Sequence, residues 1–159
     1  MSRIKNYTLV IIDMQPYWAA ACNNKLLINN IKYEIKRAIN LNNHIMFVRF
    51  ISNGSITRSL TYATSGYSNV SIVNKDDMDG GDLVLARLKD VGRTHLRVCG
   101  VNTDQCVFET VLTVADSYPK RFKIEVIAKC CATATGPTLH SKALQLMARR
   151  ENITIDKAA

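Results

Sequence analysis

Three side chains able to do chemistry together stand where buried-looking segments end: Asp13, Lys75 and Cys106. Cys106 closes the stretch Leu-Arg-Val-Cys-Gly-Val-Asn-Thr-Asp-Gln-Cys, residues 96–106, an apolar run that breaks at Gly100 and re-forms beyond Thr103. That pattern predicts a strand over 96–101 and then a helix capped by Thr103 or Asp104, with the thiol in the first helical turn. Unpaired backbone N–H groups and the positive end of the helix dipole favour a thiolate, so the expectation is a nucleophile with a lowered pKa. Taken alone, the same cysteine also reads as a small apolar filler of the core. Asp13 ends the β-branched run Tyr-Thr-Leu-Val-Ile-Ile, residues 7–12, which has the pattern of a parallel strand buried on both faces. A carboxylate at the C-terminal end of such a strand lies in the crevice where open α/β sheets bind ligands, although a turn or a cap would also explain it. Lys75 follows a shorter run, 70–73, in the same way; a solvated lysine in the acidic turn 74–77 is the competing reading.

Positioning three such groups takes a sheet whose strands all point one way. After a loop at 14–22 that carries Pro16, Tyr17 and Trp18, the apolar residues Leu27, Ile28, Ile31, Ile35, Ala38 and Ile39 recur at helical spacing between Asn24 and Leu41. Asn42-Asn43 stops this helix and a strand follows over 45–51. Residues 52–69 lack clear periodicity and predict a long loop with a short helical turn near 58–63. Gly80-Gly81 opens a helix that Gly92 ends. Beyond Cys106, Val107, Val111, Val114 and Ala115 mark one helical face, and a dozen residues is too long for a typical strand. A strand over 122–128, the cysteines at 130 and 131, a helix starting at Pro137 and reaching about 150, and a last strand over 152–155 complete the alternation. The predicted fold is a three-layer α/β/α, Rossmann-like domain spanning residues 1–159, with a mainly parallel sheet of five to six strands.

Composition removes several function classes. No apolar run approaches the ~18 residues of a membrane span, and the opening Met-Ser-Arg-Ile-Lys-Asn-Tyr does not resemble a secretory signal. A cytoplasmic protein is expected. The odd number of cysteines, 5, suits a reducing compartment, and neither they nor the 3 histidines show metal-ligand spacing. The net charge of +8 would suit nucleic acid, a membrane face or an anionic small molecule. Its lysines and arginines are scattered and not interleaved with aromatics, so a solvated surface, with neither nucleic acid nor membrane as partner, is expected.

The segments Leu9-Val-Ile-Ile-Asp13-Met-Gln15, Val73-Asn-Lys75 and Val98-Cys-Gly-Val-Asn-Thr-Asp-Gln-Cys-Val107 resemble, in order and separation, the three motifs of the isochorismatase-like cysteine hydrolases, a group that includes nicotinamidases and N-carbamoylsarcosine amidases. The similarity runs from about residue 7 to 148, and Gly-Val-x-Thr-Asp-x-Cys-Val is its most specific part. The resemblance implies a triad: Cys106 as the nucleophile that forms a thioester, Asp13 as general base and then acid, Lys75 as the cation that holds both. It further implies an oxyanion hole of the backbone N–H groups of Asn102 and Cys106 beside a cis peptide between Val101 and Asn102. A pocket built from Gln15, Tyr17, Trp18, Val101 and Thr103 would take a small-molecule substrate. Nicotinamidases carry an Asp-x-His metal motif and further histidines after the second strand, whereas residues 52–69 contain neither His nor Asp, so no metal or other cofactor is expected.

Lys129 stands where relatives often carry Asp, and the chain is short for the group, so its pocket is either more open or completed by a neighbouring subunit. Cys22, Cys99, Cys130 and Cys131 are expected to pack as apolar groups, His140 to serve only the last helix, and His44 and His95 to lie on the surface. The helix after Cys106 would contribute to a homo-oligomer, dimer or tetramer. The expected reaction is hydrolysis of a small amide or related carbonyl compound. Vinyl ether hydrolysis of the isochorismate type, or a non-catalytic ligand-binding or redox-sensing role on the same scaffold, stand as alternatives.

Overall fold

The computed structural model describes residues 4–158; Met1 to Arg3, on which the reading of the N-terminal opening partly rests, lie outside them. Six strands, β1 (Thr8–Ile12), β2 (His44–Phe50), β3 (Val70–Lys75), β4 (His95–Val101), β5 (Lys123–Ala132) and β6 (Ile153–Asp156), form one sheet in the order β3-β2-β1-β4-β5-β6. All five pairings are parallel. Every residue of β1 is buried, as its unbroken apolar run requires of a central strand covered on both faces. The connecting helices are α1 (Lys25–Asn40), α2 (Arg58–Ala63), α3 (Gly81–Val91), α4 (Phe108–Ser117) and α5 (Pro137–Met147). Their contacts divide them into two sets, α1 with α2 and α3 with α4 and α5, which makes the three layers. In α1, Leu27, Ile31, Ile35 and Ala38 are buried at helical spacing, and the Asn24 side chain caps the first turn through Leu27 N.

Two strands run further than the sequence pattern predicts, and for one reason, whereas α5 stops at Met147 short of the expected 150. β5 was expected to end by residue 128 but continues to Ala132, carrying Lys129, Cys130 and Cys131 within the strand. The pairing passes from Val98↔Val126 to Gly100↔Cys131, so β5 bulges by several residues and then re-joins β4. β3 likewise runs past Val73 to Lys75, because β2 offers Phe50 as the partner of Lys75. Pairing with a neighbouring strand, which local sequence does not encode, extends both elements.

Beneath the centre of the sheet the interior is charged. Arg97 is fully buried on β4 and its guanidinium reaches Glu34 Oε2 at 2.6 Å, Asp156 Oδ2 at 2.7 Å and Glu125 Oε2 at 3.1 Å, with the Tyr7 ring centroid 5.5 Å from Cζ. One planar fork thus ties α1, β5 and β6 to β4. Arg97→Met would leave three buried carboxylates without this cation. The expected cost is about 3–5 kcal/mol, seen as a fall in Tm on the order of 10 °C by thermal unfolding. A variant within 2 °C or so of wild type would show that the network is not a principal tie.

Candidate active site

In this strand order the chain reverses direction between β1 and β4, and the crevice beyond their C-terminal ends is where open α/β sheets bind ligands. Asp13 follows β1, Asn102 to Cys106 follow β4, and Lys75 ends β3. Asp13 leaves the strand with φ 51°, a left-handed conformation that Asp tolerates better than most residues, while its N–H still donates to Val48 O at 2.9 Å. The turn aims the carboxylate inward, where it is fully buried.

Lys75 is the counter-ion. Its Nζ lies 2.9 Å from Asp13 Oδ2 with both side chains at 0% exposure, donates to the carbonyls of Asp77 (2.9 Å) and Met78 (3.3 Å), and sits 4.4 Å from the Phe50 ring centroid. Gly80 leaves room for it, since a Cβ there would stand 2.9 Å from Lys75 Cδ. Among the described residues no aligned hydrogen-bond donor serves either carboxylate oxygen of Asp13. The contact with Lys75 is therefore an ion pair, and the oxygens keep lone pairs that can receive a proton.

Cys106 lies in a π-helical turn, Thr103–Val107, that precedes α4 and in which the N–H groups of Gln105 (3.1 Å) and Val107 (3.2 Å) both donate to Asn102 O. The peptide bond between Val101 and Asn102 is cis. The thiol is buried, and the expectation of a lowered pKa fails: burial first, then the adjacent Asp13 carboxylate, push it up to about 12, against the opposing effect of Lys75. Burial also raises the Asp13 carboxyl above its ordinary value, with Lys75 pulling the other way. The local helix-end effect is outweighed because desolvation and a neighbouring negative charge both disfavour the thiolate. The buried Asp13 carboxyl thus stands between the Lys75 amine and a thiol held in its neutral form.

The remaining predicted residues are placed unequally. Val101 and Thr103 are fully buried and Asn102 nearly so, in the turn itself. Trp18 is half-buried and packs edge-on against Phe50, centroids 6.0 Å apart, while Tyr17, 66% exposed, stands 5.1 Å from Trp18. Gln15, expected to meet substrate, has its amide occupied elsewhere: Nε2 donates to Phe50 O and Gly54 O, both 2.9 Å, and Oε1 accepts from Phe50 N at 2.9 Å. It clamps the loops after β1 and β2 together and shapes the wall without offering a free polar group. Phe50, which links Gln15, Trp18 and Lys75, was missed by sequence reasoning; its position as the last residue of an apolar strand was the available signal.

Lys129, the departure from the family pattern, stacks its Nζ 5.3 Å from the Tyr33 ring centroid on α1, and its carbonyl accepts from Asn30 Nδ2 at 2.9 Å. His140, assigned by sequence to its own helix, instead meets Thr103 Oγ1 at 2.8 Å through Nδ1. His44 is half-buried between Asn69 and Ser71, not a bare surface residue. Among the described residues no group of three or more His, Cys, Asp or Glu is placed to hold a metal ion. Nor is any helix among them long and apolar enough to cross a membrane.

Residues 7–159 match the isochorismatase domain. No curated protein matches the sequence. Solved structures with the same fold include the nicotinamidase of Staphylococcus aureus (TM-score 0.82, 18% identity, covering 98% of this chain and 100% of that one). A ribonuclease from Caenorhabditis elegans (0.80, 16%, 97% and 79%) and an isochorismatase from Pseudomonas putida (0.78, 17%, 97% and 89%) are also similar. At these identities the structures establish the fold alone. The match across nearly the whole sequence, on a parallel sheet whose switch point gathers Asp13, Lys75 and Cys106, means that the chain belongs to the isochorismatase family of hydrolases.

Proposed function

We propose that the protein is a cysteine hydrolase, needing no metal, that cleaves a small amide or related carbonyl compound through a thioester on Cys106. The observation that carries this reading is the buried contact of Lys75 Nζ with Asp13 Oδ2, 2.9 Å, beside a thiol that both groups perturb. Asp13, with a raised pKa, takes the thiol proton as the sulfur attacks the carbonyl carbon. The oxyanion that forms is received by the N–H groups of Asn102 and Cys106, each such donor contributing on the order of 3 kcal/mol to the transition state. Collapse expels the amine, which leaves with the proton from Asp13. Water then attacks the thioester, gives its proton to Asp13, and the acid departs as the thiol is restored; the sum is amide plus water to acid plus amine. Lys75 keeps Asp13 anionic between proton transfers and cannot leave, held by two carbonyls besides.

Trp18 and Phe50 supply an aromatic wall for the acyl part of the substrate, with Tyr17 at its rim. The experiment is a panel of amides, ureido acids and hydroxamates, with ammonia or hydroxylamine release measured and intact mass recorded after rapid quench. At least one member is expected to add its acyl mass to wild-type protein and not to Cys106→Ala. A wild type that turns over none of them and never carries the adduct refutes the amidase reading.

The match to the isochorismatase domain favours a second reading, vinyl ether hydrolysis at the same crevice. That chemistry protonates the enol ether and has no need of a thioester. Turnover of a vinyl ether by Cys106→Ala at a rate near wild type would select it. A redox-sensing role is disfavoured by the thiol itself, which at about 12 is protonated at neutral pH and a poor target for oxidants.

A further inference from the structure

Three consecutive residues, 102–104, at the nucleophile turn are gripped from one side by the segment between β5 and α5 and by the start of α5 itself. Asn102 Oδ1 accepts from Ala134 N at 3.0 Å, Asp104 accepts from Thr133 Oγ1 at 2.6 Å and from Thr135 Oγ1 at 2.9 Å, and Thr103 Oγ1 meets His140 Nδ1 at 2.8 Å. None of these partners belongs to the proposed triad. The Thr103 contact differs from the others in two respects. Thr103 is fully buried, so its hydroxyl has no solvent to fall back on, and it stands between Asn102 and Cys106, the two residues assigned to the oxyanion hole. Its partner comes from the first turn of α5, where the His140 N–H donates to Gly136 O at 3.2 Å and fixes the backbone that carries the ring.

We infer that His140 is a positioning residue: through Thr103 it holds the 102–106 turn in the register that presents the Cys106 sulfur and the two backbone N–H groups to one carbonyl group. This rests on the hydrolase reading above. A hydroxyl-to-imidazole bond suits the task because it is directional and short, so a shift of the turn against α5 breaks it. Burial keeps the ring toward its neutral form, with the nearby Asp104 carboxylate opposing this, so no charge need be carried against the turn. Neutral Nδ1 either accepts from the threonine hydroxyl or donates to it, and in both cases one oxygen and one nitrogen suffice. An asparagine at 140 can place its amide where Nδ1 stands; an alanine cannot.

The test uses full-length protein and the most reactive amide of the panel, with the rate of acyl-mass gain on Cys106 read by rapid quench and with kcat and KM from steady state. His140→Ala and Thr103→Val are each expected to slow acylation about 10–100-fold, as displacements near 1 Å in a reacting pair do, with KM changed less than about threefold. The double variant should be no slower than the worse single one, because both remove the same bond. His140→Asn should recover most of the loss. A merely structural role would lower Tm without splitting kcat from KM or showing this rescue.

Wild-type acylation rates in His140→Ala overturn the inference and leave the hydrolase reading intact, as does an Asn variant no better than Ala. If His140→Ala fails to fold, His140→Asn and Thr103→Val decide: a slow Thr103→Val with a fast His140→Asn supports the inference, and a fast Thr103→Val overturns it. A wild type that never acylates on Cys106 overturns the hydrolase reading, and this inference with it.

Discussion

Asp13→Asn is expected to lower kcat/KM on an accepted amide by about 10³-fold or more while leaving the chain folded, since a positioned base contributes typically 10²–10⁴. Burial, the largest cause of the thiol's raised pKa, remains when the carboxylate is gone, and no other group in the site replaces Asp13 as proton acceptor. The side-chain shape is preserved, and Lys75 retains the carbonyls of Asp77 and Met78, so a moderate fall in Tm and not unfolding is the accompanying effect. The pH profile gives the same prediction a sign. Asp13 must be ionised to accept the proton, and burial raises its carboxyl above the usual 3.8. Wild-type kcat/KM therefore falls as pH drops through a value above 3.8, and Asp13→Asn removes that acid limb. On the alkaline side the thiol stays protonated across the neutral range, so no thiolate-driven rise is expected there. A folded Asp13→Asn that keeps a tenth of the wild-type rate would take the base role away from Asp13.

The sequence made Asp13, Lys75 and Cys106 visible because each closes a run whose burial can be read from apolar residues alone. Strand ends in a parallel sheet share one edge, so three such residues were bound to face one crevice once the sheet formed. What local pattern could not carry was the effect of the neighbours. The thiol at a helix start looks activated, and only packing reveals that burial and Asp13 outweigh the helix end. Gln15 looks like a pocket residue within its motif, yet its three hydrogen bonds depend on where β2 and the loop at Gly54 come to lie. His140 matched no motif, and its bond to Thr103 spans 37 residues of chain. The end of β5 was misplaced because bulge pairing depends on β4, and the inclusion of Lys129, Cys130 and Cys131 in a strand followed from that pairing.

Gly100→Ala is expected to be the most damaging single methyl in the protein. Gly100 has φ 128°, where L side chains are rare, and a Cβ there would fall onto the Ile12 carbonyl oxygen and stand 2.7 Å from Ile12 N. These are backbone atoms of the central strand, paired with Gly100 in the sheet, so no rotamer can yield. Strain of about 1–3 kcal/mol adds to an overpacking cost of similar size, together around 4 kcal/mol against a total stability of about 5–15. Gly66→Ala separates the two contributions: its φ is 78° but nothing lies within 4 Å of the added carbon, so strain alone, about 1 kcal/mol, should remain. Urea denaturation of both variants measures the difference, and equal midpoints would show that β1 and β4 can part to admit a methyl. Any Gly100→Ala molecules that fold should also be poor catalysts. Ile12 carries Asp13 on its next bond and Gly100 lies two residues before Asn102, so prising the strands apart at this point moves the base away from the nucleophile turn. A fall in kcat of about 10²-fold in the folded fraction is the expected companion of the lost stability.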